Sequence, residues 1–344
     1  MTLKEIADQV GVSISTVSRV VNTRNPHAAS SELQQAIWEC VRKNAYVPRA
    51  NAKRTITQDG TSTGEKSPVR FIACIFARNN TSVSDNTYFT GLAKCFEKTS
   101  LSLHYSAQNF FTAIELNERN LETMASQHLD GVVIIGRHDL ELIERIHKVV
   151  PHMIYAGLAR PAADNYDSVT CDRFRIGAVA ADYLLKLGHK RIAYIGEAEN
   201  EITYDGFIDT LEKNGCCPQD TYRINLFASM ENGYLGMKKL LEQKNRPTAI
   251  FCMNDYVAMG ALRAAHECNV HCPKEISILG VDDIESSNYT TPKLTTIHTP
   301  MEELGTIAAK ILIDRIEGGH TIPLKISLPF SLVERESCSL PKKE

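Results

Sequence analysis

Beyond Val69, short apolar runs recur between segments of helical periodicity: VRFIACIF at 69–76, SLHYSA at 102–107, DGVVIIG at 130–136, HMIYAG at 152–157, RIAYIG at 191–196, AIFCMND at 249–255 and EISILGVDD at 275–283. A strand buried on both faces reads as a continuous apolar run, and strands alternating with helices imply right-handed crossovers and parallel sheets. Seven runs, interrupted near LARPAADNYDS at 158–168, predict an α/β body of two lobes rather than one sheet. Ligands of such folds lie beyond the carboxyl ends of the strands, here in a cleft between the lobes.

Before Val69 the period is that of short helices. Leu3, Ile6, Ala7 and Val10 share a face, Gly11 interrupts, and Val17, Val20 and Val21 resume the spacing. A third helix, Ser31 to about Asn44, offers Leu33, Ile37 and Val41 as a lid. Ala7, Gly11 and Val17 are what a helix-turn-helix needs: a small contact residue, a turn residue tolerant of positive φ and a branched plug. With the valines inward, Ile14, Ser15, Ser18 and Arg19 face outward. One arginine able to grip guanine, two hydroxyls and an apolar contact for a thymine methyl suit a DNA major groove. The segment TITQDGTSTGEKSP at 55–68 cannot build a core and reads as a linker.

Length and charge refine this picture. At about 150 residues per domain, 344 residues allow two or three domains. The net charge of −3 means that any nucleic-acid face is local. Such a patch exists: Arg42, Lys43, Arg49, Lys53 and Arg54 follow one another with no acidic residue between. The sequence shows neither a secretory signal nor an apolar run of about 18 residues, so a cytoplasmic protein without a membrane partner is expected. The ten cysteines form no C-x-x-C pair and read as reduced thiols.

Two constellations invite chemistry. HECNVHC places His266, Cys268, His271 and Cys272 close together, but structural zinc sites draw on two separated pairs, so no metal or cofactor is expected. Asp282 and Asp283 are adjacent, whereas acid and base on a glycoside stand about 5 to 9 Å apart across the substrate. Lacking also G-x-S-x-G, Walker A and G-x-G-x-x-G patterns, the chain is read as no enzyme.

TLKEIADQVGVSISTVSRVVN followed by NAYVPRANAKR resembles the head of the LacI/GalR family of bacterial transcription regulators. The resemblance continues in DYLLKLGHKRIAYIG, AIFCMNDYVAMGALRAAHE, ISILGVDDIESS and PKLTTIHTPMEELG, where the family has a two-lobed core like that of periplasmic binding proteins. It implies a helix-turn-helix domain at 1–47, a hinge and linker at 48–68 and an effector-binding and dimerisation core at 69–344. Within the core, it implies an N-terminal lobe of about 69–160 with 299–320 and a C-terminal lobe of about 161–298 with 321–338.

By the same resemblance Ile14 and Ser15 hold the main base-reading positions and Arg19 a third, with Ser13, Thr16, Ser18 and Asn22 near the phosphates. In the hinge, Arg49, Ala52, Lys53 and Arg54 lie along the DNA, the cations tracking phosphates. The family's minor-groove leucine falls on Thr55 here, so either Ile56 takes its place or the DNA is bent less. The stretch from Asn22 to Tyr46 is slightly longer than in the commonest members.

Asn254 and Asp282 match effector-contacting positions, with Phe89, Arg173 and Phe227 as further candidates. A carboxylate accepting vicinal hydroxyls beside an amide that donates and accepts suits a carbohydrate, an oligosaccharide or galactoside. Departures at Ala156, Arg173 and Thr203 leave a nucleoside, purine or protein partner as the alternative. Reading a pseudo-palindromic operator implies a homodimer. No leucine-heptad tail follows SLVERES, which argues against a tetramer built through one. A sugar-binding transport module or a carbohydrate-active enzyme are the rivals from other classes.

Overall fold

The computed structural model describes residues 3–23, 29–30, 33–34, 36–37, 40–41, 70–76, 87–112, 121, 124, 129–136, 140–157, 165–199, 201–216 and 219–342. The chain divides into two compact units, Met1–Arg70 and Phe71–Glu344.

In the first unit, α1 (Leu3–Val10) and α2 (Ile14–Thr23) pack around Ile6, Ala7, Val17, Val20 and Val21, joined by Ile37, Cys40 and Val41. Residues 33, 34, 36, 37, 40 and 41 are helical, as the third predicted helix requires. Gly11 turns the chain with φ 75°, a conformation that costs a residue with a Cβ about 1–2 kcal/mol. The Ala7 carbonyl accepts from both Gly11 N–H and Val12 N–H at 2.9 Å, closing α1. Ser13 caps α2 by accepting from Thr16 N–H at 3.1 Å.

The second unit holds two six-stranded sheets. Its strands are β1 (Arg70–Phe76), β2 (Tyr105–Thr112), β3 (Gly131–Ile135), β4 (Met153–Gly157), β5 (Asp167–Cys171), β6 (Ile192–Gly196), β7 (Arg223–Asn225), β8 (Ala249–Cys252), β9 (Ser277–Asp282), β10 (Thr295–His298), β11 (Lys325–Leu328) and β12 (Ser331–Val333). The orders are β11-β5-β4-β3-β1-β2 and β12-β10-β9-β8-β6-β7. Both sheets therefore contain the doubly wound pattern 2-1-3-4-5, with switch points between β1 and β3 and between β6 and β8. The pairings along β1-β3-β4-β5-β11 and β7-β6-β8-β9-β10 are parallel, and β12 joins antiparallel.

Helices α3 (Thr87–Ser102), α4 (Leu140–His147) and α9 (Met301–Ile316) accompany the first sheet, and α5 (Arg173–Lys186), α6 (Ile202–Lys213), α7 (Met230–Leu241) and α8 (Asp255–Glu267) the second. The continuous apolar runs are explained by burial on both faces: Ile72, Val133 and Ile154 enter one core, Ala73, Val132 and Ile134 the other. At Gly177 in α5 a Cβ would overlap the Thr203 carbonyl oxygen of α6, so the two backbones are in direct contact.

The sheets correct the lobe boundaries drawn from sequence. Strands β5 and β11 belong to the first sheet, so residues 167–171 and 325–328, assigned from sequence to the second lobe, lie in the first. The stretch LARPAADNYDS runs into β5, a strand of that same sheet, whose sequence DSVTC is too polar to register as an apolar run. The chain passes between lobes after β5, after β10 and after β11. No helix among the described residues is long and apolar enough to cross a membrane.

Candidate nucleic-acid interface and effector cleft

On α2 the division of faces is sharp. Val17, Val20 and Val21 are buried, while Ser15 and Arg19 are exposed and Ile14 is 47% exposed. The Ser13 hydroxyl lies 2.8 Å from those of both Ser15 and Thr16, gathering three hydroxyls at the positive end of α2. Arg19 Nε donates to the Ser15 carbonyl at 3.3 Å, which draws the guanidinium along the same face as Ser15 and Ser18. Ser18 is half-buried beside it. Asn22 belongs to α2, but its side chain, like Arg49, Ala52, Lys53, Arg54 and Ile56, lies outside the described residues.

In the second unit, Asp282 ends β9 with φ 106° and Asp283 follows at φ 58°. Two successive residues with side chains in left-handed conformations store about 1–3 kcal/mol each and persist only where neighbours over-determine them. Here they do. Asp255, 0% exposed at the start of α8, accepts from Ile284 N–H at 2.9 Å and from the Thr296 hydroxyl at 2.6 Å. Asp283 accepts from Arg335 Nη2 at 2.5 Å and lies 3.1 Å from His298 Nδ1, while Arg335 also reaches Ser287 Oγ at 3.0 Å. Burial, and then the charge of Asp282, push the Asp255 carboxyl well above the usual carboxylate range.

Arg173, at the start of α5, is fixed by a second buried group. Its Nε donates to Thr203 Oγ1 at 2.5 Å and its Nη2 lies 3.2 Å from Glu201 Oε1, the side chains being 12% and 6% exposed. Glu201 in turn accepts from the Thr203 amide at 3.2 Å and hydroxyl at 2.9 Å, capping α6. The lobes meet electrostatically at Tyr88 of α3. Its buried phenol is raised in pKa by burial first, then by the negative charge of Asp282 and by Cys171, while Thr299 and Arg173 act the other way. Tyr88 of the first lobe and Asp282 and Arg173 of the second therefore share one neighbourhood, at the carboxyl ends of the strands.

The other expected effector residues border the same edge. Phe89 packs edge-to-face on Tyr88 at 5.5 Å between ring centroids. Phe227 follows β7, half-buried, its carbonyl accepting from Asn232 Nδ2 at 2.8 Å. Asn254 follows β8 and caps α8, its Oδ1 accepting from Val257 N–H at 3.0 Å, so that carbonyl is already engaged. Sequence reasoning did not find Tyr88, Asp255, Glu201 or Thr299. For Asp255 and Glu201 a signal existed: an acidic residue directly after a buried apolar run, and one directly before an amphipathic helix. The HECNVHC residues serve separate roles; Cys272 Sγ donates to the Ser337 carbonyl at 3.3 Å and His271 N–H to Glu275 at 2.9 Å. Among the described residues no group of three or more His, Cys, Asp or Glu could hold a metal ion.

Comparison with known proteins agrees with this architecture. Residues 2–49 match the model of bacterial regulatory proteins of the lacI family, and residues 181–338 that of periplasmic binding protein-like domains. The HTH-type transcriptional repressor PurR of Erwinia tasmaniensis is 31% identical over 345 residues, covering 98% of this chain and 96% of that protein. The structure of a LacI family regulator from Enterococcus faecium with bound ribose is 27% identical, with a TM-score of 0.70 over 79% of this chain and 100% of its own. Two more distant structures share the fold. The CelR–cellobiose complex has 24% identity and TM-score 0.70, covering 98% of this chain and 99% of its own. The lac repressor dimer bound to operator and the anti-inducer ONPF has 22% identity and TM-score 0.69, again covering 98% and 99%. On this evidence the chain belongs to the LacI family: it is a DNA-binding transcriptional repressor with an effector-binding domain, and not an enzyme.

Proposed function

We propose that the protein, as a homodimer, reads a pseudo-palindromic operator through α2 and releases or grips it according to a carbohydrate, an oligosaccharide or galactoside, held between its lobes. The operator reading rests on Ile14, Ser15 and Arg19, which line one exposed face of α2 while its valines fill the core. One helix reads too few bases for a genome, and a two-fold dimer doubles the contact. The lac repressor is a dimer on its operator, which supports this arrangement.

The observation that carries the effector reading is Asp282, which ends β9 in a left-handed turn braced by the Ile284 N–H to Asp255 bond and whose charge acts on the buried Tyr88 phenol, as that of Arg173 does. A carboxylate and a tethered guanidinium whose charges act on one buried phenol suit the acceptors and donors of a polyhydroxyl ligand, with Phe89 packed on that phenol and Phe227 after β7 as candidates to cover the ring. Cellobiose and ribose occupy the related CelR and Enterococcus faecium proteins, which supports a sugar. The similarity to PurR favours the second reading, a nucleoside or purine. A thermal-shift screen of the full chain against sugars and nucleosides separates the two. A sugar that raises the melting temperature of the wild type and not of Asp282→Asn supports the first; stabilisation by nucleosides alone overturns it.

A further inference from the structure

The loops that lead into β6, β8 and β9 open at the opposite end of the second sheet from the cleft. They border a half-open cavity of about 340 Å³ lined by Arg191, Arg246, Glu275 and Lys342, over a floor that includes the buried Pro247 and Ile276. In a chain of net charge −3, three cations border this site with one carboxylate among the described residues. Two of them are oriented before any ligand arrives: Arg191 Nε donates to the Arg246 carbonyl at 3.0 Å, and Arg246 Nε to the Leu241 carbonyl at 2.8 Å. A guanidinium fixed beforehand through Nε loses less entropy on binding an oxyanion.

Glu275 stays ionised and offsets one of the three positive charges. Its carboxylate accepts from His271 N–H at 2.9 Å, and that bond, followed by the charges of His271, Lys342 and Arg246, holds it below the usual range. The cations thus retain an excess of positive charge over an apolar floor, in a volume at the lower end of small-molecule sites, about 300–1,000 Å³.

We propose that this cavity is a second binding site, for a small organic phosphate or carboxylate whose apolar part rests on Pro247 and Ile276. A bound anion would bridge Lys342 of the C-terminal segment to the loops entering β6 and β8. His189 already ties that segment to the same edge, lying 2.9 Å from both Thr248 Oγ1 and the Ser339 carbonyl.

The test is calorimetric titration of the full chain with phenyl phosphate, phenol and inorganic phosphate. Phenyl phosphate should bind saturably, inorganic phosphate more weakly and phenol not at all. Arg246→Gln and Lys342→Gln, both at exposed positions, should melt like the wild type and each weaken phenyl phosphate about tenfold, the scale of one lost charged hydrogen bond. Asp282→Asn, in the cleft, should leave it unchanged, so this test is independent of the effector reading. The proposal is overturned if phenyl phosphate gives no saturable heat, if inorganic phosphate binds equally well, if both variants bind as the wild type does, or if Asp282→Asn abolishes the binding.

Discussion

Replacing Asp255 by alanine removes the acceptor that holds the 282–284 turn. Two donors lose their partner, the part-buried Ile284 N–H and the buried Thr296 hydroxyl, which approach the fully buried carboxylate at 2.9 and 2.6 Å. Each orphaned buried donor costs about 1–3 kcal/mol. Against this, the desolvation of a carboxyl close to Asp282 is relieved, so the net loss should be about 2–4 kcal/mol. Asp255→Asn keeps one acceptor oxygen and loses the titration. In the wild type the folded chain holds this proton to higher pH than the unfolded chain, where aspartate titrates near about 3.9. Its contribution is therefore complete below that pH and is lost as pH rises through the folded value. The stability of Asp255→Asn relative to the wild type should improve from about pH 4.5 to about pH 8. Urea unfolding followed by circular dichroism at several pH values measures both effects. An alanine variant within about 0.5 kcal/mol of the wild type, or an asparagine difference independent of pH, would refute the reasoning.

Three further outcomes are expected. Arg19→Ala should weaken operator binding by about 1–3 kcal/mol in a titration at fixed salt, as for one bidentate base contact, and unchanged affinity removes Arg19 from the interface. Gly177→Ala should cost about 3 kcal/mol or more, because the added carbon meets the Thr203 backbone rather than a side chain that could swing away; a wild-type melting temperature would show that α5 and α6 separate freely. Burial lowers the pKa of His189, so its contribution to stability is present above about pH 6.5 and is lost as pH falls through the folded value. Melting temperature should accordingly decline more steeply on acidification for the wild type than for His189→Gln, and parallel curves contradict the assignment.

The runs legible in the sequence were those buried on both faces. VRFIACIF, DGVVIIG and AIFCMND announce β1, β3 and β8 because helices cover both sides of the sheets. Strands β5, β7, β10, β11 and β12 escaped. They are short or rich in serine and threonine, and what holds TTIH as a strand is pairing with β9 and β12 rather than its own pattern. The same distinction governs the cleft. Asp282 and Asn254 stand where apolar runs end, a local signal, and the topology brings both to the carboxyl edge. Tyr88 could not be found that way, because its relation to Asp282 and Arg173 arises only when separate lobes come together. The engagement of Asn254 as a helix cap and of Arg173 with Glu201 and Thr203 likewise depends on three-dimensional neighbours.

Fluorescence anisotropy of the purified full chain on a labelled fragment of its own promoter, against random duplex of equal length at moderate ionic strength and with each stabilising effector added, tests the account most directly. The account predicts selective binding to the promoter fragment, lost in Ile14→Ala Ser15→Ala and shifted by the effector in the wild type but not in Asp282→Asn. Equal binding to promoter and random DNA, with or without effector, would contradict it.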